Sequence, residues 1–297
     1  MEYAKQPLTL EQQADQLLDR GLIAERDVLI ACLRSVNYYR LSGYLHPFRQ
    51  SDDTYVPGTS LETVWRRYTF DRRLRLLLLD PLERIEVSIR TALAYELAHA
   101  AGPFGYLESG NLPNLSPDRR EGFLSKLREE TKQSSETFVK HFQAKYADQH
   151  ADLPIWMAVE IMSFGMTLTL FRGVPKPIKQ RIAGEYGIAD DVLFSWLVAL
   201  NSIRNICAHH NRLWNRGLGA KPKIPRGHKH REWRQPVDIP NNRVFCVLTI
   251  AKYFLNYIAP NSQWPHRLRS LLTEYPEIPR RPMGFPDNWE DCPIWKS

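Results

Sequence analysis

Three side chains with complementary chemistry lie close together in the sequence. Arg204 is a permanent cation, Asn205 carries an amide, and His209 carries a titratable imidazole. Cations and amides bind phosphate oxygens, and histidine can accept and donate a proton near neutral pH. These residue types at this spacing predict a site that binds a phosphate group and transfers protons beside it.

The surrounding residues predict the helix that positions these side chains. Asp190 or Asp191 can cap it by accepting the first free N–H groups. Apolar residues then recur at helical spacing at Val192, Trp196, Leu200, Ile203 and Cys207. At about 100° per residue, the opposite face carries Asn201, Arg204, Asn205, Ala208, His209 and Arg212. We expect Arg212 on this face to be a second phosphate contact, and His210 to turn toward the apolar stripe in a supporting role.

The segment that follows this helix is rich in cations. Glycines and prolines interrupt it, which predicts a loop, and Glu232 is the one acid in residues 212–234. Its basic residues are Arg212, Arg216, Lys221, Lys223, Arg226, Lys229, Arg231 and Arg234. Such an excess of positive charge is typical of a phosphate-binding surface. We expect this basic segment to contact RNA; the alternative is a solvated loop.

A second basic and aromatic cluster lies near the N-terminus, after two short predicted helices. Its members are Tyr38, Tyr39, Arg40 and Tyr44. Aromatic rings can stack on bases while arginines bind phosphates, so these residues are candidate RNA contacts. The alternative is that the tyrosines pack this segment against the main bundle.

A long helix predicted after Ser60 offers a partner for Arg204. Pro81 predicts a kink or a break in it near Asp80. Glu83, Glu86 and Arg90 share a face away from its buried stripe. Glu86 and Arg90 are four residues apart and could pair on the surface. The alternative is that Glu83 or Glu86 holds Arg204 in place.

Composition limits the class of protein. The 297 residues are 43% hydrophobic and 25% charged, which is ordinary for a soluble globular protein. Helical periodicity recurs along the chain without a strand series, so we expect an all-α fold. The four cysteines are far apart, which argues against a paired-cysteine zinc site and fits a reducing cytoplasm. We expect neither a metal nor a cofactor, and no apolar run is long enough for a membrane span. The net charge of +7 favours an anionic partner.

Two resemblances extend these expectations. Residues 204–209 resemble the arginine–polar–x3–histidine signature of the HEPN superfamily of metal-independent ribonucleases. Their longer context, residues 204–214, resembles abortive-infection (Abi) proteins of the AbiD/AbiF type, as do residues 37–44, 68–91 and 283–295.

The HEPN resemblance implies a helical bundle that forms a homodimer, in which two such helices meet around a shared cleft. The Abi resemblance implies an RNA-cleaving toxin of phage defence, held in check by a partner such as a small non-coding antitoxin RNA. We expect a small N-terminal helical module at residues 1–58, a HEPN-like bundle at 59–275, and a Pro/Trp-rich arm at 276–297. The alternatives are a structured-RNA-binding protein that does not cleave and, less favoured, a DNA-binding regulator.

Overall fold

The computed structural model describes residues 6–296. Over this range the chain is all-α, as the periodicity predicted, and only two isolated bridges have β geometry. The helices are α1 Leu10–Asp19, α2 Arg26–Val36, α3 Tyr38–Leu45, α4 Leu61–Ala101, α5 Pro117–Gln133, α6 Thr137–Tyr146, α7 Ile155–Ile161, α8 Phe164–Gly173, α9 Lys176–Glu185, α10 Asp190–Ala208, α11 Val244–Ile258, α12 Trp264–Glu274 and α13 Pro293–Lys296. Short 3-10 turns occur in the connecting segments.

The described residues form two compact units. The first comprises the residues up to Leu76 together with Leu268–Pro279, and the second comprises Leu77–Arg267 and the residues from Arg280 on. The domain boundaries that the sequence predicts at residues 58 and 275 stay predictions. The first unit continues past residue 58 because the opening turns of α4 pack within it, for example through the ion pair between Arg66 and Glu277.

Local signals set where several helices begin. Thr9 and Gln12 form a reciprocal capping box at the start of α1. Ser60 accepts a hydrogen bond from the Thr63 backbone N–H at the start of α4. Gly21 adopts a positive φ of 90° directly after α1, a conformation that glycine enters without steric cost.

Pro81 lies inside α4. Of the kink or break that the sequence predicts there, the break does not occur, because α4 runs from Leu61 to Ala101. Proline has no backbone N–H, so the carbonyl four residues earlier, that of Leu77, lacks its usual helical donor. In the second unit, the indole Nε1–H of the fully buried Trp264 donates to this carbonyl at 2.7 Å. Because α12 supplies the missing donor, the helix continues through the proline.

The core of the second unit surrounds α10 and α11. α10 packs against α8, α9 and α11, and the rings of Trp196, Trp233 and Tyr253 contact one another there. The chain after Arg280 packs on α11: Trp295 stacks on Phe245 and donates to the Thr249 hydroxyl at 3.1 Å. This packing fixes α10 on its apolar side and leaves its polar face open.

Candidate active site

The start of α10 differs from our prediction. Its N-cap is Ala189, whose side chain makes no capping bond, and Asp190 and Asp191 belong to the first helical turn. They still suit that position, because the positive end of the helix dipole attracts carboxylates. Asp191 accepts a hydrogen bond from Lys223 and others from nearby backbone N–H groups, which lower its pKa.

The other end of α10 explains the positions of its two histidines. The helix ends at Ala208, with His209 as the C-cap and His210 at φ +58°. The N–H groups of His210 and Asn211 donate to the carbonyls of Cys207 and Ile206. This is the Schellman arrangement, which usually places glycine at the left-handed position.

This early end corrects two predictions. His210 is exposed instead of turning toward the apolar stripe, because the chain has already left the helix. Arg212 does not continue the polar face of α10 and lies in the irregular segment that follows. The candidate phosphate-binding edge therefore consists of Arg204, Asn205 and His209.

These three side chains are accessible at one end of α10. Asn205 and His209 are exposed, and the side chain of Arg204 is 37% exposed. The guanidinium of Arg204 donates to the Asn205 side-chain oxygen at 3.4 Å. His209 is the C-cap and follows Arg204 by five residues, so both residues lie at the C-terminal end of α10.

A buried carboxylate lies behind Arg204. Glu86 of α4 is only 7% exposed, and its Oε2 lies 3.8 Å from Arg204 Nε. Its other oxygen, Oε1, pairs with Arg90. Arg90 also donates to the Met162 carbonyl just before α8, so Glu86 is held between two arginines.

Burial raises the pKa of Glu86, and the charges of Arg90 and Arg204 counteract that rise in part. A carboxylate that remains costly to ionise despite two arginine neighbours contributes little to stability. Such groups are enriched at functional sites. We infer that Glu86 orients Arg204.

The structure shows which contacts the two long-helix acids make. Glu86 and Arg90 do pair, but in a largely buried position and not on the surface. Glu83, one turn earlier, is exposed. Among the ion pairs described, the one to Arg204 comes from Glu86.

The basic segment folds back along α10. The backbone N–H of Lys223 donates to Ser195 Oγ at 2.9 Å, and its carbonyl accepts from Trp196 Nε1 at 2.8 Å. Its ammonium group reaches Asp191 at 2.7 Å. Lys223 thus lies at the start of α10, about 20 Å from His209 along the helix.

This path divides the predicted RNA-binding cations into three groups. Arg212 and Arg216 directly follow the Arg204–His209 edge. Lys223, Arg226 and Arg234 line a cavity beside the start of α10. The remaining cations, Lys221, Lys229 and Arg231, are exposed. The loop that we predicted also contains one short 3-10 turn, His228–Trp233.

The N-terminal cluster is a helix, α3, in the first unit. Tyr44 is buried, donates to Asp71 at 2.6 Å, and cannot stack on a base. The hydroxyl of Tyr38 accepts from Arg20, and Arg40 is half-buried. Tyr39 is 86% exposed. The packing alternative therefore holds for Tyr44, and Tyr39 is the ring best exposed for stacking.

Residues 6–296 contain no group of three or more His, Cys, Asp or Glu side chains placed to hold a metal ion. None of the helices in that range combines the length and the apolar character that a bilayer crossing requires.

Sequence reasoning missed the residues that complete the cavity beside α10. Asp238, Ile239 and Asn241 line it opposite Asp191 and Val192. Nothing in their spacing pointed to this role, because nearly fifty residues separate them from the start of α10 and the return of the basic segment brings them together.

The fold and this helix edge define an all-α protein that presents a guanidinium and an imidazole on one accessible surface. The chain belongs to the Abi-like protein family, whose model matches residues 31–215. The match runs from α2 through the Arg204–His209 edge and ends within the basic segment. Membership suggests a role in abortive infection, a form of phage defence. No curated protein and no solved structure matches the chain.

Proposed function

We propose that this protein is a metal-independent RNA endonuclease of the HEPN type that acts as an abortive-infection toxin. The observation that carries the proposal is the accessible edge of Arg204, Asn205 and His209, with Arg204 paired to the buried carboxylate of Glu86. This carboxylate would hold the guanidinium of Arg204 in one orientation for a phosphate.

The chemistry uses the 2′-hydroxyl of the RNA as the nucleophile. A base removes its proton, a bond forms from O2′ to phosphorus, and the bond from phosphorus to O5′ breaks as an acid protonates the leaving oxygen. Histidine suits both proton transfers near neutral pH. The products are a 2′,3′-cyclic phosphate and a 5′-hydroxyl.

Each remaining side chain of the edge has a separate role. Arg204 binds the phosphate oxygens and stabilises the negative charge that grows in the transition state. Asn205, which accepts from Arg204, positions a phosphate oxygen or the imidazole. Arg212 and Arg216 extend the positive charge along the RNA strand.

One chain supplies one imidazole at this edge, whereas the reaction needs a base and an acid. We propose that a homodimer provides both, with two copies of the edge facing each other across a two-fold axis. Two copies of His209 then flank one phosphate. Control by a partner, such as a small non-coding antitoxin RNA, keeps the toxin inactive until infection.

The test is cleavage of total RNA by the purified protein in EDTA. His209→Ala and Arg204→Ala should each abolish cleavage, and the wild-type products should carry 2′,3′-cyclic phosphates. His210→Gly is the matched control, because glycine keeps the left-handed position that ends α10. Cleavage that survives His209→Ala, or that His210→Gly abolishes instead, would contradict the assignment of the imidazole.

A second function is favoured by the basic segment, which presents Lys221, Lys229 and Arg231 to solvent. On this alternative the protein binds a structured RNA without cutting it. Tight, salt-sensitive RNA binding with no products in the same assay would favour it.

A further inference from the structure

A cavity of about 760 Å³ lies beside the N-terminal end of α10. Three stretches of the second unit line it: the first turn of α10, the returning basic segment, and residues 238–241. Its volume is in the range of small-molecule sites. Its lining is separated from His209 by about 20 Å or more along the helix, so it is distinct from the proposed cleavage site.

We propose that this α10 cavity binds a ribonucleotide, as a free nucleoside phosphate or as one residue of an RNA strand. The inference goes beyond the proposed function, because it requires neither cleavage nor His209. It rests on three features of the lining: cations for a phosphate, apolar walls for a base, and polar groups for the edge of that base.

The phosphate would bind between Arg226 and Arg234, both of which line the cavity. Arg234 reaches the carbonyl of Ile224 at 3.5 Å, which holds its guanidinium at the wall. Lys223 adds a third cation. It pairs with Asp191, but both side chains are more than half exposed, and such pairs are weak enough to exchange for a phosphate.

The base would lie against the apolar part of the lining, formed by Val192, Ile224 and Ile239. The carboxylate of Asp238 and the amide of Asn241 also line the cavity. A carboxylate accepts hydrogen bonds from the exocyclic amino groups of bases. A site for inorganic phosphate alone would not need an acid and an apolar wall next to its arginines.

The experiment is isothermal titration of the whole protein with AMP, GMP, CMP, UMP and orthophosphate, and of the protein in a His209→Ala background, which the proposed function expects not to cleave RNA, with a short oligoribonucleotide. Arg226→Ala and Arg234→Ala should each weaken nucleotide binding by at least about tenfold, the loss expected for a charge-assisted hydrogen bond. Lys126→Ala removes the same charge from an exposed site on α5 and should leave affinity unchanged. Circular dichroism checks that each variant folds, and Arg234→Gln replaces any alanine variant that does not.

The outcomes separate the sources of the ligand. If mononucleotides bind and the arginine variants weaken that binding, the ligand is a free nucleotide. If only the oligoribonucleotide binds, and the same variants weaken its binding, the ligand is one residue of an RNA strand. Orthophosphate that binds as tightly as the nucleotides would overturn the inference. So would a complete lack of binding, or an equal loss in Lys126→Ala. Because no cleavage is measured, a failure of the nuclease proposal would leave this test intact.

Discussion

Glu86→Gln is the sharpest test of the candidate site. The substitution keeps the size of the side chain and an oxygen that can accept from Arg90, but it removes the charge that faces Arg204 at 3.8 Å. If Glu86 orients Arg204, the variant should bind RNA almost as well as the wild type and cleave it more slowly. The reason is that the lost pair with Glu86 positions the guanidinium of Arg204 in the transition state.

The size of the effect follows from the ion-pair geometry. Two unit charges about 4 Å apart interact by roughly 4 kcal/mol at an effective dielectric constant near 20. Arg204 is more than a third exposed, and solvent screens such pairs strongly. A loss of about 1–2 kcal/mol is the reasonable expectation, which corresponds to a roughly 5- to 30-fold slower cleavage rate.

The assay is single-turnover cleavage of a defined RNA in EDTA, with Glu83→Gln as the control. Glu83 lies one turn earlier on α4 and is exposed, so its variant removes the same charge without reaching Arg204. It should stay within about twofold of the wild type, since exposed charges contribute little. Equal rates for Glu86→Gln and the wild type would refute the orienting role, as would an equal loss in the two variants.

The pH dependence of cleavage gives a second readout for the same residue. Because burial raises the pKa of Glu86, its carboxylate takes up a proton at a higher pH than an ordinary glutamate does. The cleavage rate should therefore begin to fall on acidification at a pH where ordinary glutamates are still ionised. This early fall should be missing from the pH–rate profile of Glu86→Gln. A raised pKa also means that the ionised form of Glu86 destabilises the folded state. This cost falls as the pH drops through the folded-state pKa, and it disappears below the unfolded-state pKa. The variant also leaves the largely buried Arg90 without its counter-charge, so its free energy of unfolding at neutral pH should fall by roughly 1–3 kcal/mol.

Two further predictions concern the fold. Trp264→Phe removes the donor to the Leu77 carbonyl and should destabilise the protein by about 1–3 kcal/mol in denaturant unfolding. The loss should be smaller in a Pro81→Ala background, where the helix supplies its own donor; an equal loss in both backgrounds would contradict this account. Tyr44→Phe leaves the fully buried Asp71 with one fewer donor and should cost about 1–3 kcal/mol. An unchanged denaturation midpoint would show that this bond contributes nothing.

Helical periodicity and capping residues act over a few neighbouring positions, and so the sequence by itself determined several features. It predicted the all-α class and a long helix after Ser60. It also placed Arg204, Asn205 and His209 on one edge of one helix, where the structure has them accessible. These features depend on contacts within one or two turns, which periodicity reports directly.

Tertiary contacts decided the rest, because they join residues that are distant in the chain. The donor from Trp264 keeps α4 continuous through Pro81, and the fold buries Glu86 beside Arg204 although periodicity placed that glutamate on an outer face. Long-range packing also buried Tyr44, which composition alone had grouped with the RNA contacts. The return of the basic segment along α10 depends on its bonds to Ser195 and Trp196, and no local pattern in the segment specifies those partners.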